Sequence, residues 1–123
     1  MKIYVTHSSS FDFKNELYQP LRNSALNSTN EITLPHETSS EQFNSKEHIK
    51  EYDVIVAEVS YPSTGMGIEL GWANVYDIPI LCLYKQGTKP SGSLKVVTET
   101  FIEYESREDM VRKLSDCLAT IVV

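Results

Sequence analysis

The fold is decided by one stretch in the middle of the chain, Asp53-Val54-Ile55-Val56-Ala57-Glu58-Val59-Ser60-Tyr61-Pro62-Ser63-Thr64-Gly65-Met66-Gly67-Ile68-Glu69-Leu70-Gly71-Trp72-Ala73. Its first part is almost continuously apolar, which is typical of a central parallel strand covered on both faces. Residues 68–76 then predict a helix, so the residues between form a strand-to-helix loop, with Glu69 just inside the helix start. Loops of this kind hold ligands in open α/β sheets.

Strand and helix patterns alternate on either side of this stretch. Further strands are predicted at residues 2–6, 31–34, 78–84 and 100–104, and helices at residues 13–21, 44–50 and 106–118, with a polar connection at 23–30 and a helical turn at 94–97. Pro20 should kink or restart the first helix, and Ser93 and Ser106 are expected as caps. The alternation implies one three-layer α/β domain over residues 1–123, with about five parallel strands in a flavodoxin- or Rossmann-like arrangement.

Composition and charge exclude several classes of protein. The 123 residues are 41% hydrophobic and 23% charged, as in an ordinary globular domain, and the net charge of −6 argues against binding a nucleic acid polymer. No apolar run approaches the roughly 20 residues of a membrane helix, and the N-terminus enters a strand without a signal-peptide pattern. We therefore expect a cytoplasmic protein with no membrane partner. Cys82 and Cys117 lack metal-ligand spacing, and neither a metal nor a cofactor is expected.

The loop and the helix start carry the candidate chemistry. A carboxylate in the first helical turn faces unsatisfied N–H groups, so Glu69 is expected to be ionised. Such a group can attack a sugar carbon and form a covalent glycosyl-enzyme, or it can simply stabilise its helix. Gly65 and Gly67 let the backbone approach a ligand, and the Ser63 and Thr64 hydroxyls could cradle a phosphate or sugar. A tight connection without a ligand is the alternative.

Residues 57–60 and 62–73 resemble the signature of the nucleoside 2-deoxyribosyltransferase superfamily, and are closest to its 2'-deoxynucleoside 5'-phosphate N-hydrolase branch. The resemblance implies cleavage, or transfer, at the N-glycosidic bond of 2'-deoxynucleosides or their 5'-monophosphates through a covalent glycosyl-Glu intermediate. Hydrolysis is favoured over transfer. The resemblance also implies a small-molecule substrate and a homo-oligomer, at least a dimer.

The resemblance also implies roles for individual residues. Glu69 matches the nucleophile and Tyr4 a tyrosine that orients it. Ser63 falls where the transferases have an aspartate and the phosphate hydrolases a phosphate-binding serine, which favours a nucleotide because an aspartate would repel a phosphate. Ser8 and Ser93 match two further phosphate-contacting serines.

Two departures from the family pattern concern the phosphate and the proton donor. The arginine of the family's first loop is absent, and Ser10 stands near its place. No aspartate stands in residues 44–48, where the family has one that is thought to protonate the departing base. Glu47 or His48 could replace this acid, or each could be a solvated residue on a short helix that an Asn44–Glu47 capping box would open.

Two other residues each have two possible roles, and the sequence also leaves an alternative function for the whole domain. Glu58, at the end of an apolar strand, could orient the loop or contact substrate. His7, after the first strand, could contact a ligand or lie on the surface. Because the family's arginine and aspartate are missing, a nucleotide-binding or regulatory module with little or no catalysis is the alternative function.

Overall fold

The computed structural model describes residues 1–37 and 46–121, which contain a five-stranded parallel sheet. The strands are β1 (Lys2–His7), β2 (Glu31–Thr33), β3 (Val54–Glu58), β4 (Ile80–Lys85) and β5 (Phe101–Tyr104), in the order β2-β1-β3-β4-β5. This order is the flavodoxin-like one, in which ligands bind where the strand order reverses, between β1 and β3. The predicted parallel α/β architecture and the central place of β3 are confirmed.

Helices cover both faces of the sheet. They are a π-helical turn (Lys14–Tyr18) that continues into α1 (Gln19–Arg22), then α2 (Ala25–Thr29), α3 (Lys46–Ile49), α4 (Thr64–Val75), a 3₁₀ turn (Gly92–Val96) and α5 (Arg107–Leu118). One core cluster joins the π-helical turn, α1, α2 and α5 to one face, and a second joins α3 and α4 to the other. The result is the expected three layers.

The two faces of β1 divide its side chains between these layers. Ile3 and Val5 lie in the core cluster that includes α1 and α5, whereas Tyr4 lies in the cluster that includes α4. Side chains alternate along a strand, so Thr6 shares the α4 face with Tyr4, and His7 shares the opposite face with Val5. This alternation places the polar residues of β1 on both sides of the sheet.

Helix α4 begins at Thr64, four residues before the predicted start at Ile68. Ser63 is the N-cap, and its Oγ accepts the Met66 N–H at 3.3 Å. Gly65 therefore belongs to the first helical turn and not to a loop, because the cap outweighs the low helix propensity of glycine. Glu69 consequently lies in the second turn, which corrects its expected place at the helix start.

Two further expectations about local structure are corrected. Residues 23–30, expected as a polar connection, contain helix α2, because the buried Leu26 anchors a short helix there. The 3₁₀ turn is capped by Ser91 and not by Ser93, since the Ser91 Oγ accepts the Ser93 N–H at 3.4 Å. Pro20, expected to kink or restart the first helix, lies in the first turn of α1, directly after the change from π-helical to α-helical hydrogen bonding. The Asn44 capping box lies outside the described residues.

Ser106 is confirmed as the N-cap of α5, and its removal should destabilise the fold. The Ser106 Oγ accepts the Asp109 N–H at 3.1 Å, and the Asp109 carboxylate accepts the Glu105 N–H at 3.0 Å. Ser106→Ala should lower the free energy of unfolding by about 1 kcal/mol, measured by urea denaturation. Ser115→Ala, at an exposed position of the same helix, is the control and should not lower the free energy of unfolding. Equal losses in both variants would contradict the capping role.

Candidate active site

A buried hydrogen-bonded group joins β1 to α4 at the carboxyl edge of the sheet. Tyr4 donates its hydroxyl proton to Glu69 Oε2, and Thr6 donates to Glu69 Oε1 at 2.8 Å. Tyr4 and Thr6 are both buried, whereas Glu69 is half-buried. Because the two donors lie two positions apart on one strand, they point to the same face and meet one carboxylate. Thr6 was missed in the sequence, although the period-two pattern of a strand links it to Tyr4.

The ionisation of Glu69 is controlled by burial and by its partners. Burial raises the pKa of the Glu69 carboxyl, while the hydrogen bonds from Tyr4 and Thr6 and the charge of His36 act in the opposite direction. The expected stabilisation by the helix terminus is wrong, because Glu69 is not in the first turn of α4. The two hydroxyls and His36 therefore take the place of the helix dipole in favouring the anion.

Tyr4 is a fixed hydrogen-bond donor. Burial first, and then the negative charge of Glu69, raise the pKa of the Tyr4 hydroxyl far above its ordinary value, so it keeps its proton. Its ring contacts the Tyr52 ring edge-on at 5.2 Å, and the Tyr52 hydroxyl donates to Thr33 Oγ1 at 3.0 Å. The orientation that the resemblance implies for Tyr4 agrees with this geometry.

A second hydrogen-bonded group lies on the other face of β1. His7 is buried, which lowers the pKa of its imidazole, and Nδ1 lies 2.8 Å from the Ser8 carbonyl, so Nδ1 carries the proton. Nε2 then accepts a hydrogen bond from the Tyr18 hydroxyl at 2.6 Å. The oxygen of that hydroxyl accepts the backbone N–H of His36 at 3.1 Å. His7 is thus neither on the surface nor exposed to a ligand. Tyr18 and His36 were missed, because only the tertiary structure brings them to β1.

A groove of about 390 Å³ brings together several of the predicted phosphate-binding residues. Its lining includes Tyr61, Ser63, Gly67 and Ser93. Gly65 is exposed on the same helical turn. A Cβ placed on Gly67 would meet no atom within 4 Å, so the groove stays open at that position.

Ser8 has a different environment from the serines of the groove. It is buried, its Oγ lies 2.7 Å from Ser10 Oγ, and it accepts the Ser10 N–H at 3.1 Å. The Ser8 hydroxyl therefore shapes the loop after β1. Its expected phosphate contact has no support in this geometry, since its hydrogen bonds lie within the loop.

Glu58 holds the loop after β3 and does not line the groove. It is completely buried, its Oε1 accepts the Ser60 N–H at 2.7 Å, and its Oε2 accepts the Ser60 and Tyr104 hydroxyls. Ser60 Oγ in turn accepts the Lys85 N–H at 2.8 Å. A buried carboxylate needs such partners. Of its two open roles, the structure supports loop orientation, and the predicted substrate contact is corrected.

The two candidate acids lie on the exposed surface of α3. The side chains of Glu47 and His48 are 78% and 61% exposed, and they pair with Lys50 at 3.1 Å and with Glu51 at 3.5 Å. Neither belongs to the group around Glu69 formed by residues 1–37 and 46–121. The solvated interpretation of both side chains is therefore the one that the structure supports.

Lys85 lies beside the loop that Glu58 holds, because its backbone N–H donates to Ser60 Oγ, and its side chain already has partners. Its Nζ forms an ion pair with Glu16 and lies over the rings of Phe11 and Tyr61, at 5.2 and 5.5 Å from their centroids. Among the described residues, no group of three or more His, Cys, Asp or Glu side chains could hold a metal ion. The helices of that same part of the chain are too short or too polar to cross a bilayer.

Curated relatives share part of the sequence. A protein of Syntrophotalea carbinolica with the provisional name 2'-deoxynucleoside 5'-phosphate N-hydrolase 1 is 42% identical over 74 residues, which cover 58% of this chain and 52% of that protein. The 5-hydroxymethyl-dUMP N-hydrolase of Mus musculus is 51% identical over 37 residues, which cover 30% of this chain and 21% of that protein. The chain thus spans about half or less of the length of these relatives. No protein-family model matches it.

Solved structures share the fold over almost the whole chain. The CMP N-glycosidase of Clostridium botulinum has a TM-score of 0.66 at 21% identity, covering 94% of this chain and 99% of that one. A conserved protein from Enterococcus faecalis V583 has a TM-score of 0.66 at 18% identity, covering 95% and 98%. At such identities the likeness shows the fold alone. With the named relatives, it confirms the predicted resemblance to the nucleoside 2-deoxyribosyltransferase superfamily.

The buried carboxylate predicts a pH-dependent gain in stability for Glu69→Gln. Because the pKa of the Glu69 carboxyl is raised in the folded protein, its contribution to stability is fully present below the unfolded pKa and is lost as the pH rises through the folded pKa. The neutral amide avoids this loss, so Glu69→Gln should melt at a higher temperature than wild type at pH 7.

Melting temperatures measured at pH 7 and pH 4 test this prediction, and the advantage of Glu69→Gln should shrink at pH 4. Glu47→Gln, at an exposed position on α3, is the control, and its melting temperature should not exceed that of wild type at either pH. An advantage of Glu69→Gln that grows as the pH falls would contradict the raised pKa.

Proposed function

We propose that this chain cleaves the N-glycosidic bond of 2'-deoxynucleoside 5'-monophosphates, with Glu69 as the nucleophile. The observation that carries the proposal is the Glu69 carboxylate held by the Tyr4 and Thr6 hydroxyls at the edge where β1 and β3 end. The names of two relatives, N-hydrolases of 2'-deoxynucleoside 5'-phosphates and of 5-hydroxymethyl-dUMP, support this activity and favour hydrolysis over transfer.

The reaction takes place in two steps at the anomeric carbon. First, an oxygen of Glu69 bonds to C1' as the C1'–N bond breaks, and the base leaves with the bonding electron pair and takes up a proton. Then water attacks C1' and gives up a proton, the ester bond breaks, and the Glu69 carboxylate is restored. Two substitutions of this kind have lower barriers than a single displacement by water.

The geometry suits Glu69 to both steps. Two donors on a buried strand fix the carboxylate, which reduces the orientational freedom that must be lost before attack. The same hydrogen bonds stabilise the carboxylate when it leaves the glycosyl ester. The Tyr4 hydroxyl keeps its proton and remains a hydrogen-bond donor to Glu69, because its pKa is strongly raised.

The groove at the start of α4 suits the 5'-phosphate. Ser63 and Ser93 line it with hydroxyl donors, and the positive end of the twelve-residue helix α4 lies at the same place. Phosphate binding there relies on hydroxyls and on the helix end, since Ser10 stands near the place of the family's arginine.

Removal of the carboxylate tests the nucleophile. Glu69→Gln should release free base from deoxynucleoside 5'-monophosphates roughly a thousandfold or more slowly than wild type, because an amide is a poor nucleophile. Free base is followed by chromatography, and the melting temperature shows that the variant is folded. Glu47→Gln should cleave at the wild-type rate. Undiminished release by Glu69→Gln would exclude Glu69 as the nucleophile.

The alternative, a nucleotide-binding module, has a distinct outcome in the same assays. It is favoured by the exposed positions of Glu47 and His48, which leave the expected acid unassigned. A binding module would be stabilised against heat by nucleotides while releasing no base from any of them.

A charge at Ser63 tests the phosphate site. Ser63→Asp keeps a good N-cap for α4 but adds a negative charge, and two like charges about 4 Å apart repel by about 1 to 4 kcal/mol as the dielectric constant falls from 80 to 20. We expect kcat/KM for monophosphates to fall roughly tenfold or more, with little change for nucleosides. Ser63→Asn, a neutral cap of the same shape, is the matched control. Equal losses for both substrate types would place the phosphate elsewhere.

A further inference from the structure

The loop between β3 and α4 contributes residues to the groove on both sides of Ser60. Val59 and Tyr61 are the neighbours of Ser60 in the chain, and both line the groove. The Ser60 side chain is buried, and its hydroxyl donates to Glu58 Oε2 at 3.0 Å. Interactions that fix Ser60 therefore also fix the two residues beside it, which form part of the groove wall.

Ser60 is held to the ends of β3 and β4 by its backbone and by its side chain. Its N–H donates to Glu58 Oε1 at 2.7 Å, while its hydroxyl donates to the other oxygen of the same carboxylate. Ser60 Oγ also accepts the Lys85 N–H at 2.8 Å, from the last residue of β4. Because one carboxylate binds Ser60 twice, the position of the loop depends on the orientation of Glu58.

Tyr104, the last residue of β5, holds Glu58 in turn. Its hydroxyl donates to Glu58 Oε2, and both side chains are buried. Burial first, and then the hydrogen bond and the charge of Glu58, raise the pKa of the Tyr104 hydroxyl, so it keeps its proton and remains a donor. A buried carboxylate that loses a donor must find another partner, and the side chain shifts to reach one. The orientation of Glu58 therefore depends on Tyr104.

The chain between Ser60 and α4 has little freedom to absorb such a shift. Pro62 has a fixed φ, and it also restricts the backbone of Tyr61, which precedes it. The Tyr61 ring packs against the Phe11 ring, with the two centroids 5.3 Å apart. Ser63 follows at once as the N-cap of α4 and lines the groove. A displacement of Ser60 is therefore passed on to Ser63.

We propose that Tyr104 is a positioning residue for the 5'-phosphate, because it fixes Glu58 and thereby the loop that brings Ser63 to the groove. This inference rests on the proposed function, in which that groove holds the phosphate. Tyr104 acts from behind the loop, on the face of the sheet that α5 covers. Its hydroxyl should therefore matter for binding a nucleotide and not for binding the corresponding nucleoside.

Affinities measured with and without the phosphate test the proposal. The Glu69→Gln background prevents turnover, and isothermal titration calorimetry gives Kd for the 5'-monophosphates of deoxyadenosine, deoxycytidine, deoxyguanosine and thymidine and for the four nucleosides. Tyr104→Phe removes only the hydroxyl. It should raise Kd for the monophosphates roughly three- to tenfold, the factor that one hydrogen bond allows, and change Kd for the nucleosides by less than about twofold. A general structural defect would weaken both kinds of ligand alike.

A double-mutant cycle on the monophosphates shows whether the effect passes through Ser63. In the Ser63→Asp background, Tyr104→Phe should change Kd by less than about twofold, since both substitutions act on the same contact. Tyr76→Phe, which removes a hydroxyl at the far end of α4, is the matched control and should leave every Kd unchanged. If Tyr104→Phe does not fold, Ser60→Ala, which removes another hydroxyl donor to Glu58 Oε2, replaces it with the same expected effects.

The outcomes separate this inference from the proposed function. An unchanged monophosphate Kd in Tyr104→Phe, equal losses for nucleotides and nucleosides, or equal factors with and without Ser63→Asp would overturn the positioning role while the chemistry of Glu69 stands. A selective loss of nucleotide affinity in a protein whose wild type releases no base would support the positioning role and overturn the cleavage. A protein that binds none of the monophosphates would overturn the positioning role and the phosphate site together.

Discussion

The two hydrogen bonds that hold Glu69 to β1 connect the parts of the molecule on which the candidate site depends. The carboxylate lies in the second turn of α4, and its donors, Tyr4 and Thr6, belong to the buried strand next to the centre of the sheet. A strand and a helix therefore position the Glu69 carboxylate, and the loop after β3 connects the sheet to the start of α4. A carboxylate held in this way keeps its orientation without help from a ligand.

The strand β1 serves both halves of the site because its side chains alternate. The same backbone that presents Tyr4 and Thr6 to α4 presents His7 to the π-helical turn, where Tyr18 lies. Single π-helical turns often occur at functional sites, since they re-aim one side chain within a helix. A rotation of β1 would thus disturb the hydrogen bonds to Glu69 and the His7–Tyr18 hydrogen bond together.

The sequence predicts the helices and strands well, and its signature stretch identifies Glu69 and Tyr4 as candidates. Contacts that depend on which strands are neighbours in the sheet are predicted less well. The apolar run of residues 54–59 identifies the central strand, and Glu69 and Tyr4 follow from the signature. Thr6 could also have been inferred from the period of two. The start of α4 was misplaced because two glycines in the first turn resemble a loop, and only the cap by Ser63 shows that the helix has begun.

Tyr18 and His36 could not be found from periodicity, since their meeting depends on β2 lying beside β1 in the sheet. Periodicity identifies the type of each element, but it carries no information about which strands are neighbours. The expectation of an acid near residues 44–48 follows the family pattern in chain order, whereas the structure shows the Glu47 and His48 side chains exposed on α3. A matching position in the sequence therefore does not show that a side chain lies at the site.

Burial acts on the ionisable groups of both faces of β1, and each group has different hydrogen-bond partners. Burial disfavours the charged forms of both Glu69 and His7, raising the pKa of the carboxyl and lowering that of the imidazole. The neutral His7 ring donates to the Ser8 carbonyl and accepts the Tyr18 hydroxyl. The anionic form of Glu69 is favoured by two hydroxyl donors and by the charge of His36. The neutral His7 therefore has a structural role on one face of β1, whereas on the other face Tyr4 and Thr6 donate to the Glu69 carboxylate and favour its anionic form.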